Sequence, residues 1–192
     1  MKRPDSSSKE THPKTMKIIK SAILATVMVL TVGSAMAQSE TELVVPEWMI
    51  IDNDAKTVKL EIIAGKTDAV NYWNFNGYAN GGATIVIPDG YSVSLSFTNN
   101  DPIMPHSLGI GEKVDTFPAM FDSITPAFDG ALSSNPTDMM SATKSGETEE
   151  LAFTAAGVGE YAVICYIPGH ATVGMWIGFN VSGDGSVGVS TP

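Results

Sequence analysis

The chain has 192 residues, 43% of them hydrophobic, a formal charge of −10 and a single cysteine. One thiol excludes an intramolecular disulfide framework, and the acidic balance disfavours nucleic acid and anionic lipid as partners. Residues 1–37 hold six of the eleven Lys and Arg but only two of the 21 Asp and Glu, so the remainder carries 5 basic and 19 acidic side chains, a formal charge of −14. Such a surface favours a basic partner, although the simpler reading is that it keeps an exported protein soluble.

At the amino terminus Lys17 and Lys20 precede an apolar run from Ala22 to Val32, followed by Gly33, Ser34 and the small-residue pattern Ala35-Met36-Ala37. That order is the pattern of a secretory signal cleaved after Ala37, which places the mature protein in a periplasm or outside the cell. The run is shorter than the ~20 residues that span a bilayer, so a cleaved peptide is expected and no stable membrane span after it. Residues 1–15 are polar and unlike an n-region, which makes Met16 an alternative start. The mature chain is long enough for one domain with its own core, expected over residues 38–182.

Apolar residues alternate with polar ones at Val58, Leu60 and Ile62, and again at Val93, Leu95 and Phe97 against Ser92, Ser94 and Ser96. A period of two marks half-buried strands. Similar stretches run from Ala83 to Ile87, Leu151 to Ala155, Tyr161 to Cys165 and Met175 to Val181, separated by turn signals such as Pro88-Asp89-Gly90 and Gly157-Val158-Gly159. The mature chain has no long amphipathic helix, so the fold expected is an all-β antiparallel or mixed sandwich. Between Gly111 and Glu150, Pro118, Pro126 and Pro136 and many Ser, Thr and Asp predict a long loop excursion with one short helix over Ala119 to Ser123. The Gly- and Ser-rich tail, 183–192, is expected to fray.

Beyond the leader the chain holds two His, one Cys and six Met, so a metal site is easily enumerated. Cys165, His170 and Met175 fall within eleven residues: Cys165 closes a predicted strand, Tyr166 to Gly169 make a tight turn, and Met175 opens the next strand. His106 lies 59 residues earlier, at the end of a turn over Asn99 to Pro105. Two imidazoles, one thiolate and a thioether are the donor set of a type 1 copper site, three strong ligands in a plane and a weak axial Met. Structural zinc sites recruit more thiolates and rarely a thioether. Taken singly, Cys165 and Met175 read as core residues and each His as a turn or surface histidine; it is their joint placement that points to one site.

On Met104-Pro105-His106-Ser107-Leu108, Cys165-Tyr166-Ile167-Pro168-Gly169-His170 and Gly174-Met175, the chain resembles the cupredoxins, and within them the sulfocyanin and rusticyanin branch. Four residues separate Cys from His and four more separate His from Met, as in that branch; Asn71 to Gly77 and Phe128 to Pro136 also look sulfocyanin-like. The resemblance runs from about Thr57 to Val181. It implies a Greek-key β-sandwich and one type 1 copper ion, with His106, Cys165 and His170 equatorial and Met175 axial. Many cupredoxins carry Asn after the first His to tie the two ligand loops. Here Ser107 stands there, beside Pro105, and it reads either as a turn hydroxyl or as a sign of fewer dipoles near the sulfur and a raised potential. The family also implies that the ring edge of His170 reaches the surface within an apolar patch of Met104, Ile167, Pro168 and Val173. That patch would dock a redox partner such as a cytochrome or terminal oxidase, or shield the metal from water. Trp48, Trp73 and Trp176 read as core or sheet-packing residues.

Copper oxidase or nitrite reductase chemistry needs additional histidines, often as His-X-His pairs, and a dinuclear electron-transfer centre needs a second Cys; the mature chain has neither to spare. Electron carriage without catalysis is therefore the function expected. Copper delivery or buffering in the periplasm is the alternative, and a copper-free structural sandwich the third possibility.

Overall fold

The computed structural model describes residues 42–192, and the leader expected over residues 1–37 lies outside the described residues. Nine strands follow in chain order: β1 (Met49–Asp52), β2 (Thr57–Ala64), β3 (Thr84–Pro88), β4 (Tyr91–Asn99), β5 (Gly109–Glu112), β6 (Thr148–Ala155), β7 (Gly159–Ile164), β8 (Trp176–Ser182) and β9 (Gly188–Ser190). They form a four-stranded sheet, β1-β2-β4-β6, and a five-stranded sheet, β5-β7-β8-β3-β9. Two parallel pairings, β2 with β4 and β3 with β8, make both sheets mixed.

Alternation decides which face is buried. Val58, Leu60 and Ile62 of β2 stand opposite Val93, Leu95 and Phe97 of β4, and all six are buried, while Ser92 and Ser94 face out. A slip of one residue would turn this whole row to solvent, so the register is fixed by the pattern itself. The second sheet contributes Ile85, Ile87, Ile177 and Phe179 to the same core. Phe128, from the long excursion between β5 and β6, stacks on Phe153 at 5.6 Å and lies 5.9 Å from Phe179. The excursion is thus anchored in the sandwich despite its irregular backbone.

The pairing of β7 with β8 positions the chemistry. Ile164 stands opposite Trp176, so residues 165–175 form a loop pinned at both ends by adjacent antiparallel strands. On the neighbouring edge β5 pairs with β7, which brings the segment just after His106 alongside that loop.

Two expectations are corrected. No helix forms over Ala119 to Ser123, or anywhere else among the described residues. Phe117 is instead buried in a satellite cluster with Ile164, Tyr166 and Ala171, and the Ala119 carbonyl accepts the N–H of Gly169 at 2.7 Å. These long-range contacts, with Pro118 between them, hold the backbone away from the local ladder that a helix needs. Nor does the tail fray: Gly188–Ser190 pair with β3 as an edge strand, Val44 and Val189 exchange two backbone hydrogen bonds, and Val189 is buried. The domain therefore extends past residue 182.

Deleting residues 187–192 consequently costs stability, although a frayed tail would cost none. Losing the burial of one Val side chain removes about 1.5–3 kcal/mol, which corresponds to a fall in Tm of roughly 3–12 °C for a domain of this size. A thermal melt of the truncated protein that matches the full chain would contradict the role of β9.

Candidate metal centre

His106 follows a turn whose polar atoms are fully employed. Asn99, buried at the end of β4, donates from Nδ2 to the carbonyls of Met104 and Thr143 at 2.9 Å each, and its Oδ1 accepts the N–H of Asp101 at 2.8 Å. Asp101 Oδ1 accepts the N–H groups of Ile103 and Met104 at 2.8 and 3.0 Å. The N–H of His106 donates to the Thr143 carbonyl at 3.0 Å, so the far end of the excursion closes over this turn. A side chain borne on such a turn has little freedom to move.

The second loop is closed by its own backbone. Cys165 N–H donates to the Met175 carbonyl at 3.1 Å, Met175 N–H to the His170 carbonyl at 3.0 Å, and His170 N–H to the Ile167 carbonyl at 3.1 Å. Gly174, between His170 and Met175, has φ +112° and a carbonyl that accepts the N–H of Asn80 at 2.7 Å. A Cβ there would collide with the Asn80 side chain, so only glycine fits.

These two loops bring together all three of the strong donors expected from the sequence. The Nδ1 atoms of His106 and His170 lie 3.1 Å apart, and Cys165 Sγ lies 3.8 and 3.5 Å from them. The point equidistant from the three atoms is about 2.0 Å from each, which is a metal–ligand distance. All three residues are buried, and Met175, also fully buried, is tied by backbone bonds to both Cys165 and His170. Two imidazole nitrogens and a sulfur, all buried, with Met175 held next to them by its backbone, suit a soft ion with trigonal donors, so the residues present fit copper.

The electrostatics follow from burial. Burial pushes the Cys165 thiol up to about 11, against the opposing pull of N–H groups from Ser107 and Ile167. Burial likewise pulls His170 down to about 4, with the neighbouring His106 adding to the effect. His106 is lowered by burial too, but Asp101 works the other way, its Oδ2 lying 2.8 Å from His106 Nε2. Burial opposes ionisation of Asp101, but the N–H groups of Met104 and Ile103 and the His106 ring outweigh it, leaving its carboxyl below the usual range. A carboxylate only accepts, so His106 carries its proton on Nε2 and turns the Nδ1 lone pair toward the other donors. This carboxylate–histidine arrangement is a common way to orient a metal-binding ring.

Ser107 does more than turn the chain. Its hydroxyl accepts the N–H of Tyr166 at 2.9 Å, and its own N–H and hydroxyl approach Cys165 Sγ at 3.5 and 3.8 Å. It ties the two loops and is more than a turn hydroxyl. The expected surface patch also changes. Pro168 and Val173 are exposed and Met104 and Pro105 half-buried, but Ile167 is fully buried in the core and cannot line a surface. His170 is only 1% exposed because Trp73 lies against it, ring centroids 4.0 Å apart at 20°. Asp101 and Trp73 are the two site residues that sequence reasoning passed over. Asp101 had a signal, an acid in the same short turn as His106; Trp73 sat in the Asn71 to Gly77 segment without any mark of its contact.

The family model for the sulfocyanin (SoxE) domain matches residues 47–192. Sulfocyanin of Sulfolobus acidocaldarius is 32% identical over 130 residues, covering 63% of this chain and 61% of that protein, so the match spans about three fifths of the relative's length. Among solved structures the chain is similar to rusticyanin from Thiobacillus ferrooxidans, at 26% identity over 70% of this chain and 86% of that one, with a TM-score of 0.46. It is also similar to auracyanin from Roseiflexus castenholzii, at 22% identity over 65% and 96% of the two chains, with a TM-score of 0.44.

Two outcomes follow from this electrostatic arrangement. With the thiol near 11 and both imidazoles neutral above their ordinary range, loading copper at pH 7–9 should release about one proton per ion, and affinity should rise with pH. Calorimetry in buffers of different ionisation enthalpy counts that proton; a count of zero would mean that the thiol is not consumed. Asp101→Asn keeps an acceptor on His106 Nε2 but removes the buried negative charge. It should raise the reduction potential and weaken copper retention by roughly 10–100-fold, and an unchanged midpoint would show that the charge is not felt at the metal.

Proposed function

The chain belongs to the sulfocyanin family of blue-copper electron-transfer proteins, and from that premise we propose that it is an exported carrier that cycles one copper between Cu(I) and Cu(II) without catalysing a reaction of its own. The observation that carries this reading is the tight, dry triangle of His106, Cys165 and His170 donors. In it His106, Cys165 and His170 would hold the copper through two imidazole nitrogens and the thiolate, and Met175 would add a weak thioether contact.

Each ligand has a distinct task. Cys165 supplies the thiolate, which gives the oxidised centre its colour and favours copper over harder ions. His106 and His170 supply neutral imidazoles, kept neutral by burial, so a change of copper charge does not draw protons into the site at neutral pH. Met175 would contribute a weak sulfur contact that tunes the potential. Because both loops are fixed by backbone hydrogen bonds, the donors have little room to rearrange between oxidation states, and small rearrangement favours fast electron transfer.

The leader pattern supports export to a periplasm or the cell exterior, where redox proteins are the partners. Among the described residues no helix is long and apolar enough to cross a membrane. Copper delivery would favour an open site that exchanges metal, whereas these donors are buried; slow loss of copper to a chelator is the outcome expected of a carrier.

The oxidised protein should show the intense visible band and narrow copper hyperfine pattern of a thiolate-bound Cu(II). Cys165→Ser should abolish the band while leaving the sandwich folded; a Ser variant that keeps it would refute the assignment. Met175→Leu should stay coloured and raise the midpoint in voltammetry, since it removes a donor that favours Cu(II). A midpoint that does not move would exclude Met175 as the axial ligand.

A further inference from the structure

We propose that Trp73 is the electron port of this protein, the side chain through which an electron reaches and leaves His170. The inference rests on the reading of His170 as a copper ligand and goes beyond it in naming where a partner makes contact.

His106, Cys165, His170 and Met175 are all buried to within 1% of complete, so a redox partner cannot touch any of them directly. The side chains bonded to the first two are equally hidden: Asp101 on His106 and Ser107 beside Cys165 are both buried. Trp73 differs. It is half-buried, packs against the main core on one side and lies flat on His170, with 4.0 Å between ring centroids. An aromatic face in van der Waals contact with the imidazole gives a short path from solvent to the centre, and the contact is held at both ends.

The backbone that presents Trp73 is built to hold it there. Val70, Asn71 and Tyr72 have φ values of 52°, 56° and 67°, three consecutive non-glycine residues in the left-handed region, one of them β-branched. Such a segment persists only where its surroundings over-determine it. Here buried Asn74 does so: its Nδ2 donates to the Thr67 and Ala69 carbonyls at 2.9 Å each, and its Oδ1 accepts the N–H of Gly77 at 3.0 Å. The Asn74 carbonyl accepts the N–H of Gly65, and the Trp73 N–H closes the turn on the Val70 carbonyl at 3.0 Å. A tryptophan needed only for packing would not require a strained three-residue turn to place it. Val70, exposed at the start of the same turn, adds apolar surface to it, so the partner that fits is a redox protein with an apolar face around its own cofactor edge.

The step would move one electron between the copper held by His170 and the partner's cofactor, one being oxidised as the other is reduced. No bond forms or breaks, no proton moves, and the indole is a bridge that is itself neither oxidised nor reduced.

Trp73→Phe keeps an aromatic face on His170, and Trp73→Leu keeps apolar bulk without it. In copper-free protein the ring protons of His170 should be shifted upfield by the stack in the wild type and in the Phe variant but not in the Leu variant. In copper-loaded protein, electron self-exchange is read from NMR line broadening in mixtures of oxidised and reduced protein, at salt high enough to screen the acidic surface. The Phe variant should exchange near the wild-type rate and the Leu variant at least severalfold more slowly, with all three keeping the visible band. Equal His170 shifts in Trp and Leu proteins, or equal exchange rates with the band retained, overturn the port alone. Absence of the band from the wild type overturns the copper reading and the port with it.

Discussion

Two neutral imidazoles and a thiol are packed here with their donor atoms 3.1 to 3.8 Å apart and almost no water in reach. Polar groups in so dry a place cost stability unless something satisfies them. Burial prevents the obvious relief, because it holds the thiol protonated and the histidines uncharged. A metal ion at the shared centre would engage all three donors at once. The turn over Asn99 to Pro105, the closed loop from Cys165 to Met175 and the excursion that returns through Thr143 are all ways of maintaining that triangle.

Charge around the triangle is sparse and asymmetric. Asp101 places one buried carboxylate behind His106, which favours the more positive oxidation state, while Ser107 and Ile167 direct N–H groups at Cys165 Sγ and so favour a less electron-rich sulfur. Beside the Met175 thioether, the potential of a bound copper would therefore feel opposing effects on two different ligands, and neither effect follows from the apolar character of the loops alone. On the far side, Trp73 separates His170 from solvent, which removes from this protein the exposed imidazole edge that the family resemblance implied.

The strands were legible because a buried face imposes a period of two, as in β2 and β4, and the donors were legible because one Cys and two His leave few ways to build a site. Short or atypical elements were not. β5 reads Gly-Ile-Gly-Glu and β9 Gly-Val-Ser, segments whose composition signals turns and whose strand character comes only from neighbours in the second sheet. The short helix expected over Ala119 to Ser123 failed because Phe117 and the Ala119 carbonyl are claimed by distant residues. Ile167 was expected in a surface patch because the family resemblance implied one around His170, yet its side chain is fully buried in the core. Asp101 left a local trace, an acid five residues before His106 in the same turn, whereas Trp73 acts through a contact between loops that no local pattern encodes.

If the donors are already in place before the ion arrives, crystal structures of the copper-free, Cu(I) and Cu(II) forms should superimpose at the centre. The separations between His106 Nδ1, His170 Nδ1 and Cys165 Sγ should differ by no more than a few tenths of an ångström among the three. A His170 ring that swings away from Trp73 in the copper-free or reduced form, opening the triangle, would show instead that copper assembles the site and that each electron transfer carries the cost of rebuilding it.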